Sequence, residues 1–262
     1  MSDGWKRRLD EVQNLPGHCG LVVHDLNTGE HYAFQETMPV VAASLIKVPI
    51  MIEAFARREA GMLSFDESYI LKESDKLPSC GALNAMHAGL EVTIGDLVRL
   101  MIILSDNTAT NILIDRLGMT QIQEQMTAIG MKDSHIRRKL FQADLSARGI
   151  ENTVSAGDMA NVLEGLYRHR IVSPSASEEM LSILLEQRLN GKIPFFLSPC
   201  EIPVAHKTGE DDGITHDAGI IYGKAPRVFC FVSEKTDVPA AERFIQDAAA
   251  WVGLGQDTET DG

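Results

Sequence analysis

Hydrophobic positions follow different periods along this chain, and the changes of period mark its elements. Trp5, Leu9, Val12 and Leu15 recur at helical spacing and predict a short amphipathic first helix. From Cys19 to Phe34 a hairpin is expected, with Leu21, Val22 and Val23 on one arm, DLNTGE as the turn and Tyr32 to Phe34 on the other. The run VAASLIKVPIMIEAF, Val41 to Phe55, then predicts an apolar helix beginning near Ser44, in which Pro49 is tolerable because it falls in the first turns. From about Thr93 to Gln187 the pattern is helical almost throughout. Thr93 with Asp96 forms a capping box before LVRLMIIL, and Ser155 with Asp158 caps DMANVLEGLYRHR. NTATNILIDRL, MTQIQEQMTAI and SASEEMLSILLEQ supply the other helices of this block. Beyond Pro199 the signal turns to strand. IPVAHKT, DAGIIYG and RVFCFVS are separated by the turn-rich EDDG and GKAP, and VPAAERFIQDAAAWVGL closes the series with a helical apolar stripe.

Strands at both ends of the chain and helices between them are best explained by an α/β (α+β) fold. Its antiparallel sheet of about five strands is drawn from both termini and flanked by helices, with a helical block inserted between. The expected organisation is a discontinuous sheet part, 1–43 and 200–253, an all-helical part, 44–199, and a disordered acidic tail, 254–262.

Composition narrows the function classes. The chain has 262 residues, 44% hydrophobic and 23% charged, as in folded globular proteins. Its 24 basic and 37 acidic residues leave a net charge of −13, which argues against nucleic acid and anionic membrane surfaces as partners. Cys19, Cys80, Cys200 and Cys230 make no C-x-x-C pair and no zinc spacing, so no metal is expected, and scattered cysteines of this kind are read as free thiols. MSDGWKRRLDEVQNL lacks the apolar core of a secretory leader, and no later run reaches membrane-spanning length. The expected location is the cytosol, or outside it if a leader had been cut away.

Three short motifs carry chemistry. Ser44 and Lys47, three apart, share one helix face among Leu45, Ile46, Val48, Ile50 and Met51. A lysine in such surroundings is expensive when charged, so it is pushed toward proton acceptance, and a serine beside it at a helix start becomes an activated nucleophile. Taken alone, the pair reads more simply as a capping serine with a snorkelling lysine, since S-x-x-K is expected about once in a chain of this length. LSDNTATN places Ser105, Asp106 and Asn107 between two helices, where each is also a good cap. VAHKTGEDDG places Lys207, Thr208 and Gly209 where a strand runs into a turn, and Gly209 permits close approach of a ligand or another backbone.

In that order, S-x-x-K, S-D-N and K-T-G resemble the signature of class A β-lactamases and penicillin-binding proteins, over roughly Val22 to Gly253. The resemblance implies a serine hydrolase that needs no cofactor and acts on a small-molecule substrate. In it Ser44 is acylated and Lys47 handles its proton. Ser105 passes a proton toward the leaving nitrogen, and Asn107 holds Lys47 and the substrate amide. Lys207 keeps the field positive near Ser105, and Thr208 binds a substrate carboxylate. Backbone N–H groups of Ser44 and of Glu210, just after Gly209, form the oxyanion hole.

Two departures qualify the resemblance. Class A β-lactamases carry E-x-x-L-N between S-D-N and K-T-G, its glutamate activating the deacylating water. Here RRKLFQADLSARGIENTVSAGDM offers only Asp144 and Glu151 before the next helix, with Glu151 placed as a cap or loop contact. The arginine often presented after K-T-G is also missing. His216 is a candidate replacement or a structural histidine, and His206 has no assignable role. Acylation of Ser44 by a β-lactam, amide or ester is expected, with weak deacylation of penicillins. A D,D-peptidase or esterase, and a penicillin-binding sensor that stays acylated, remain alternatives.

Overall fold

The computed structural model describes residues 10–254. Of the expected first helix, Trp5 and Leu9 lie outside these residues; a helical turn at 10–13 carries Val12 into the core. The chain then forms β1 (His18–Asp25) and β2 (His31–Phe34), joined by a turn in which Asp25 Oδ1 accepts the N–H groups of Asn27 and Thr28 at 3.0 and 2.9 Å. The expected arms pair, with Leu21 opposite Phe34 and Val23 opposite Tyr32. After β3 (Val40–Val41) comes a 3-10 turn, Ala43–Ile46, running into α1 (Lys47–Glu59). There follow β4 (Ser68–Ile70), β5 (Glu91–Thr93), α2 (Ile94–Ile103), α3 (Asn107–Leu117), α4 (Met119–Ala128) and the short α5 (Ala143–Ser146). The chain ends with β6 (Thr153–Val154), α6 (Ala156–Tyr167), α7 (Pro174–Leu185), β7 (Val204–Asp211), β8 (Ile214–Tyr222), β9 (Pro226–Glu234) and α8 (Val238–Leu254).

The main sheet is five-stranded and antiparallel, in the order β2-β1-β9-β8-β7. Pairing of β1 with β9, from His18 opposite Glu234 to Asp25 opposite Arg227, joins the two ends of the chain. Both faces of the sheet are covered, which explains why β8 and β9 read as nearly continuous apolar runs. On one face Leu21, Val23, Phe229 and Phe231 meet Phe244, Ile245 and Val252 of α8. On the other, Val22, Val228, Cys230 and Val232 belong to the larger core formed with the helices. At the heart of that core lies α1, whose residues Lys47 to Phe55 are all buried, packed against α2, α3, α4 and α7. A helix apolar on every side belongs in an interior.

Three boundaries differ from expectation. The 44–199 segment is not all helical: β4 pairs with β5, and β6 pairs with β3. These strands span two or three residues, too few for alternation to show in a sequence. The α-helix begins at Lys47 rather than near Ser44, because the 3-10 turn precedes it. Leu254, assigned to the tail, ends α8, whose apolar stripe continues through Val252; the rest of the tail lies outside the described residues. The four cysteines are unpaired, Cys19 and Cys230 buried, Cys80 half-buried and Cys200 exposed. Among the described residues no helix is long and apolar enough to cross a membrane.

Candidate active site

The three motifs converge where the 3-10 turn, the α2–α3 connection and the edge strand β7 meet. A 3-10 turn stacks side chains three apart, so Lys47 comes directly over Ser44 despite the change of helix type. Lys47 Nζ lies 2.9 Å from Ser44 Oγ, 2.9 Å from Ser105 Oγ, 2.7 Å from the Ser105 carbonyl oxygen and 2.9 Å from Asn107 Oδ1. Lys207 Nζ donates to Ser105 Oγ at 3.0 Å and to the Thr208 carbonyl at 2.9 Å. Ser105 Oγ therefore sits between both lysines. Lys47 and Lys207 are wholly buried, whereas Ser44 is half-buried and reachable from outside.

Counting hydrogens constrains this arrangement. Four oxygens surround Lys47 Nζ, and an ammonium has three protons. Two of the oxygens, the Ser105 carbonyl and Asn107 Oδ1, only accept. An uncharged amine satisfies them with its two N–H groups and keeps a lone pair for a serine hydroxyl. The electrostatics favour that state. Burial pulls Lys47 well below the ordinary lysine range and the charge of Lys207 pulls it further, against the opposing pull of Cys80 and Asp106. Burial also lowers Lys207, to about 7; Asp217 opposes the shift and Lys192 adds to it.

The connection carrying Ser105 is held from below. Ser105 adopts a left-handed backbone, φ 53°. Asp106 then caps α3, its Oδ1 accepting Ala109 N–H at 2.9 Å, so the motif is a helix cap as well as part of the site. Its Oδ2 accepts the N–H groups of Ala82 and Leu83 at 2.7 and 2.9 Å, drawing segment 80–83 over the site. Gly81, φ 115°, is needed there, because a Cβ would lie 2.3 Å from the Asp106 carboxyl. Asn107 completes the clasp, donating its backbone N–H to the Cys80 carbonyl at 3.1 Å and its Nδ2 to the Pro78 carbonyl at 3.2 Å.

On the strand side, Thr208 faces Asp217 and Gly209 faces His216 in the register of β7 with β8. A Cβ on Gly209 would meet the His216 ring at 2.8 Å. His216 is wholly buried: Nε2 donates to the Val41 carbonyl at 2.8 Å, and Nδ1 accepts Ser233 N–H at 3.0 Å. That pattern assigns a neutral ring, and burial pushes its pKa down to about 4. His216 is therefore structural and offers no positive charge in place of the missing arginine. His206 is equally buried, between Asp217 at 2.8 Å and Asn190 at 3.1 Å.

Neither candidate deacylation carboxylate joins the cluster. Glu151 accepts Arg138 Nε at 3.0 Å and the Ser146 hydroxyl, and Asp144 is exposed on α5. Glu151 thus serves as the loop contact that its place beside a helix start predicted. Asparagine side chains bonded to backbone hold the segments on either side of Glu151. Asn111, one helical turn beyond Asn107 on α3, donates its Nδ2 to the Leu140 carbonyl at 3.0 Å and accepts Leu140 N–H at 2.9 Å. Asn152 Oδ1 accepts the N–H groups of Arg137 and Arg138 at 2.7 and 3.0 Å, and its own carbonyl accepts Ala42 N–H, two residues before Ser44, at 2.8 Å. Sequence reasoning missed Asn111 and Leu140, although the four-residue step from Asn107 to Asn111 places both asparagines on one helix face.

Known proteins share the family and the fold. A family model described as "Beta-lactamase enzyme family" matches residues 5–253. A β-lactamase of Rhodobacter capsulatus is 29% identical over 171 residues, 64% of this chain and 57% of that protein, so the chain spans little more than half of that relative's length. The β-lactamase structure from Sphaerobacter thermophilus DSM 20745 superposes with a TM-score of 0.87 at 30% identity, covering 95% of each chain. PBP-A superposes with a TM-score of 0.86 at 25% identity, covering 96% of this chain and 95% of that one. A leucine-to-glutamate mutant of PBP-A, solved as an acyl-enzyme complex with penicillin-G, superposes with a TM-score of 0.85 at 25% identity, covering 95% of this chain and 94% of that one. The chain belongs to the beta-lactamase enzyme family.

Proposed function

We propose that the protein is a serine hydrolase that opens β-lactams, or related amides and esters, by forming an acyl-enzyme on Ser44. The observation carrying this proposal is the placement of Lys47 Nζ 2.9 Å from both Ser44 Oγ and Ser105 Oγ in a buried setting that favours the uncharged amine. Ser44 Oγ attacks the substrate carbonyl carbon and its proton passes to Lys47. The resulting oxyanion accepts the N–H groups of Ser44 and Glu210. As the C–N bond breaks, Ser105 gives its proton to the leaving nitrogen and is resupplied from Lys47. Lys207 holds the Ser105 hydroxyl and, with Thr208, attracts a substrate carboxylate. Gly209 leaves room for the buried His216 ring against the strand.

Deacylation is the weaker half of this mechanism. Hydrolysis of the acyl-enzyme needs a base-activated water. Glu151 is engaged with Arg138 and Ser146, and Asp144 is exposed, so neither is free beside Ser44 to supply that base. This observation favours a second function on the same site, a penicillin-binding sensor or a D,D-peptidase or esterase whose acyl group leaves room for water.

The role of Lys47 is tested by replacing it. Lys47→Ala is expected to stay folded, because burial holds the lysine against its preference for a charged, solvated state, and to acylate on the order of 10² to 10⁴ more slowly. Stopped-flow with a chromogenic cephalosporin measures the rate, and circular dichroism checks the fold. A folded variant with near wild-type acylation would overturn the assignment.

The lysines also set a pH dependence. Acylation is expected to fall as pH rises through about 7, where Lys207 loses the charge that attracts the substrate carboxylate. On the acid side it falls as Lys47 gains a proton. Lys207→Arg, whose guanidinium keeps its proton, should retain its rate to higher pH in a kcat/KM profile. Stability follows the same groups. Between about 7 and the ordinary lysine value of 10.5, the unfolded chain binds a proton that folded Lys207 has released, so stability rises with pH through that window. Thermal melts across it should show Tm rising, and less so in the arginine variant.

A further inference from the structure

Lys192 is a buried cation that none of the three motifs contains. It lies in the segment following α7, only 3% exposed, and is tied to the reverse of the K-T-G strand. Its Nζ donates to the Gly209 carbonyl and the His216 carbonyl, both at 3.3 Å, and to Glu210 Oε1 at 2.8 Å, with Glu242 at 3.9 Å. The residues beside it bind the same two strands. Asn190 Oδ1 lies 3.1 Å from His206 Nε2, and Ile193 N–H donates to Asp217 Oδ2 at 3.0 Å.

The Gly209 carbonyl belongs to the same peptide group as the Glu210 N–H. A trans peptide is planar, so a cation holding that carbonyl fixes the direction of the N–H on the opposite side. β7 is the edge strand of the sheet, and Gly209 and His216 are register partners whose carbonyls share one ammonium. A positive charge on the carbonyl also polarises the peptide group and strengthens its N–H as a donor. We propose that Lys192 is a positioning residue for acyl transfer, aiming and polarising the Glu210 N–H toward the oxyanion from behind β7. This role rests on the acyl-enzyme function proposed above and adds to it a residue that touches no substrate.

The test compares wild type, Lys192→Met and Lys192→Arg with a chromogenic cephalosporin, separating the acylation rate constant from substrate binding. Infrared spectroscopy of the acyl carbonyl is recorded in the same samples. Removing one oxyanion donor outright costs about 10² to 10³. Misaiming one is therefore expected to slow acylation by about 10- to 100-fold in Lys192→Met, with binding little changed and the acyl carbonyl band moved to higher frequency. Lys192→Arg should recover most of the rate and return the band. If the methionine variant does not fold, Lys192→Gln, which keeps an N–H for Gly209 without the charge, should give a smaller band shift in the same direction with a correspondingly smaller rate loss. Wild type acylating alongside a folded, uncharged variant at equal rate and equal band frequency would overturn the role of Lys192 alone. A wild type that forms no adduct would overturn the acyl-enzyme function and this role together.

Discussion

Mixed with a penicillin, the wild-type protein is expected to gain the mass of one intact acyl group, and Ser44→Ala to gain none. Ser44 is half-buried on a 3-10 turn, and its hydroxyl lies against Lys47. Removing that oxygen leaves Lys47 with Ser105 and Asn107 as partners, so the fold survives. The nucleophile does not: Ser105 Oγ is already held between two lysines and only 2% exposed. The expected loss of acylation is on the order of 10³ or more, with intact fold by circular dichroism. A fluorophosphonate adduct should likewise map to the peptide containing Ser44. Labelling that persists in the folded variant would contradict this.

The second large effect is a gain. Leu140→Glu is expected to speed deacylation by about 10² or more, the contribution of one positioned general base. Asn111 clasps both backbone groups of Leu140, and a clasp made through backbone survives a change of side chain. The substituted carboxyl then starts from a backbone bound one helical turn from Asn107, which itself touches Lys47. Leu140 packs partly against the main core, so some stability is lost when its isobutyl group is replaced. Glu151→Gln serves as the contrast. Its carboxylate is spent on Arg138 and Ser146, so deacylation should not change. Release of product from preformed acyl-enzyme measures both variants. A Leu140→Glu protein that keeps its acyl group as long as wild type, or a Glu151→Gln protein that keeps it longer, would place the water on another path.

How much of this was legible in the sequence depends on how local the cause is. The arm Leu21 to Val23 and the strands from Val204 to Glu234 were readable because burial on both faces leaves apolar runs, and the half-buried arm Tyr32 to Phe34 because the turn-rich DLNTGE precedes it. Caps at Thr93 and Ser155 were readable because a side chain three residues away completes them. β4, β5 and β6 were not, since two or three residues of ladder leave no period to detect.

The site divides in the same way. Ser44 with Lys47, Ser105 with Asn107, and Lys207 with Thr208 lie within three residues of each other, so each pair is a motif. The downward shift of Lys47 was legible in its apolar neighbours, whereas the meeting of the motifs and the lowering of Lys207 follow from packing that buries both lysines. Lys192 was invisible because it lies outside the three motifs in a nonperiodic segment, and only the fold brings it against β7. His216 was ambiguous in sequence, since only its contacts to Val41 and Ser233 decide that it is neutral and structural.

The central claim is that acylation of Ser44 outruns release of the acyl group. It is tested most directly by rapid-quench intact-protein mass spectrometry of the wild type with a chromogenic cephalosporin, sampled alongside absorbance. The predicted result is a burst of one equivalent of product, matched by one equivalent of acyl-enzyme that then decays slowly. Steady fast turnover with no adduct at any time point would contradict it.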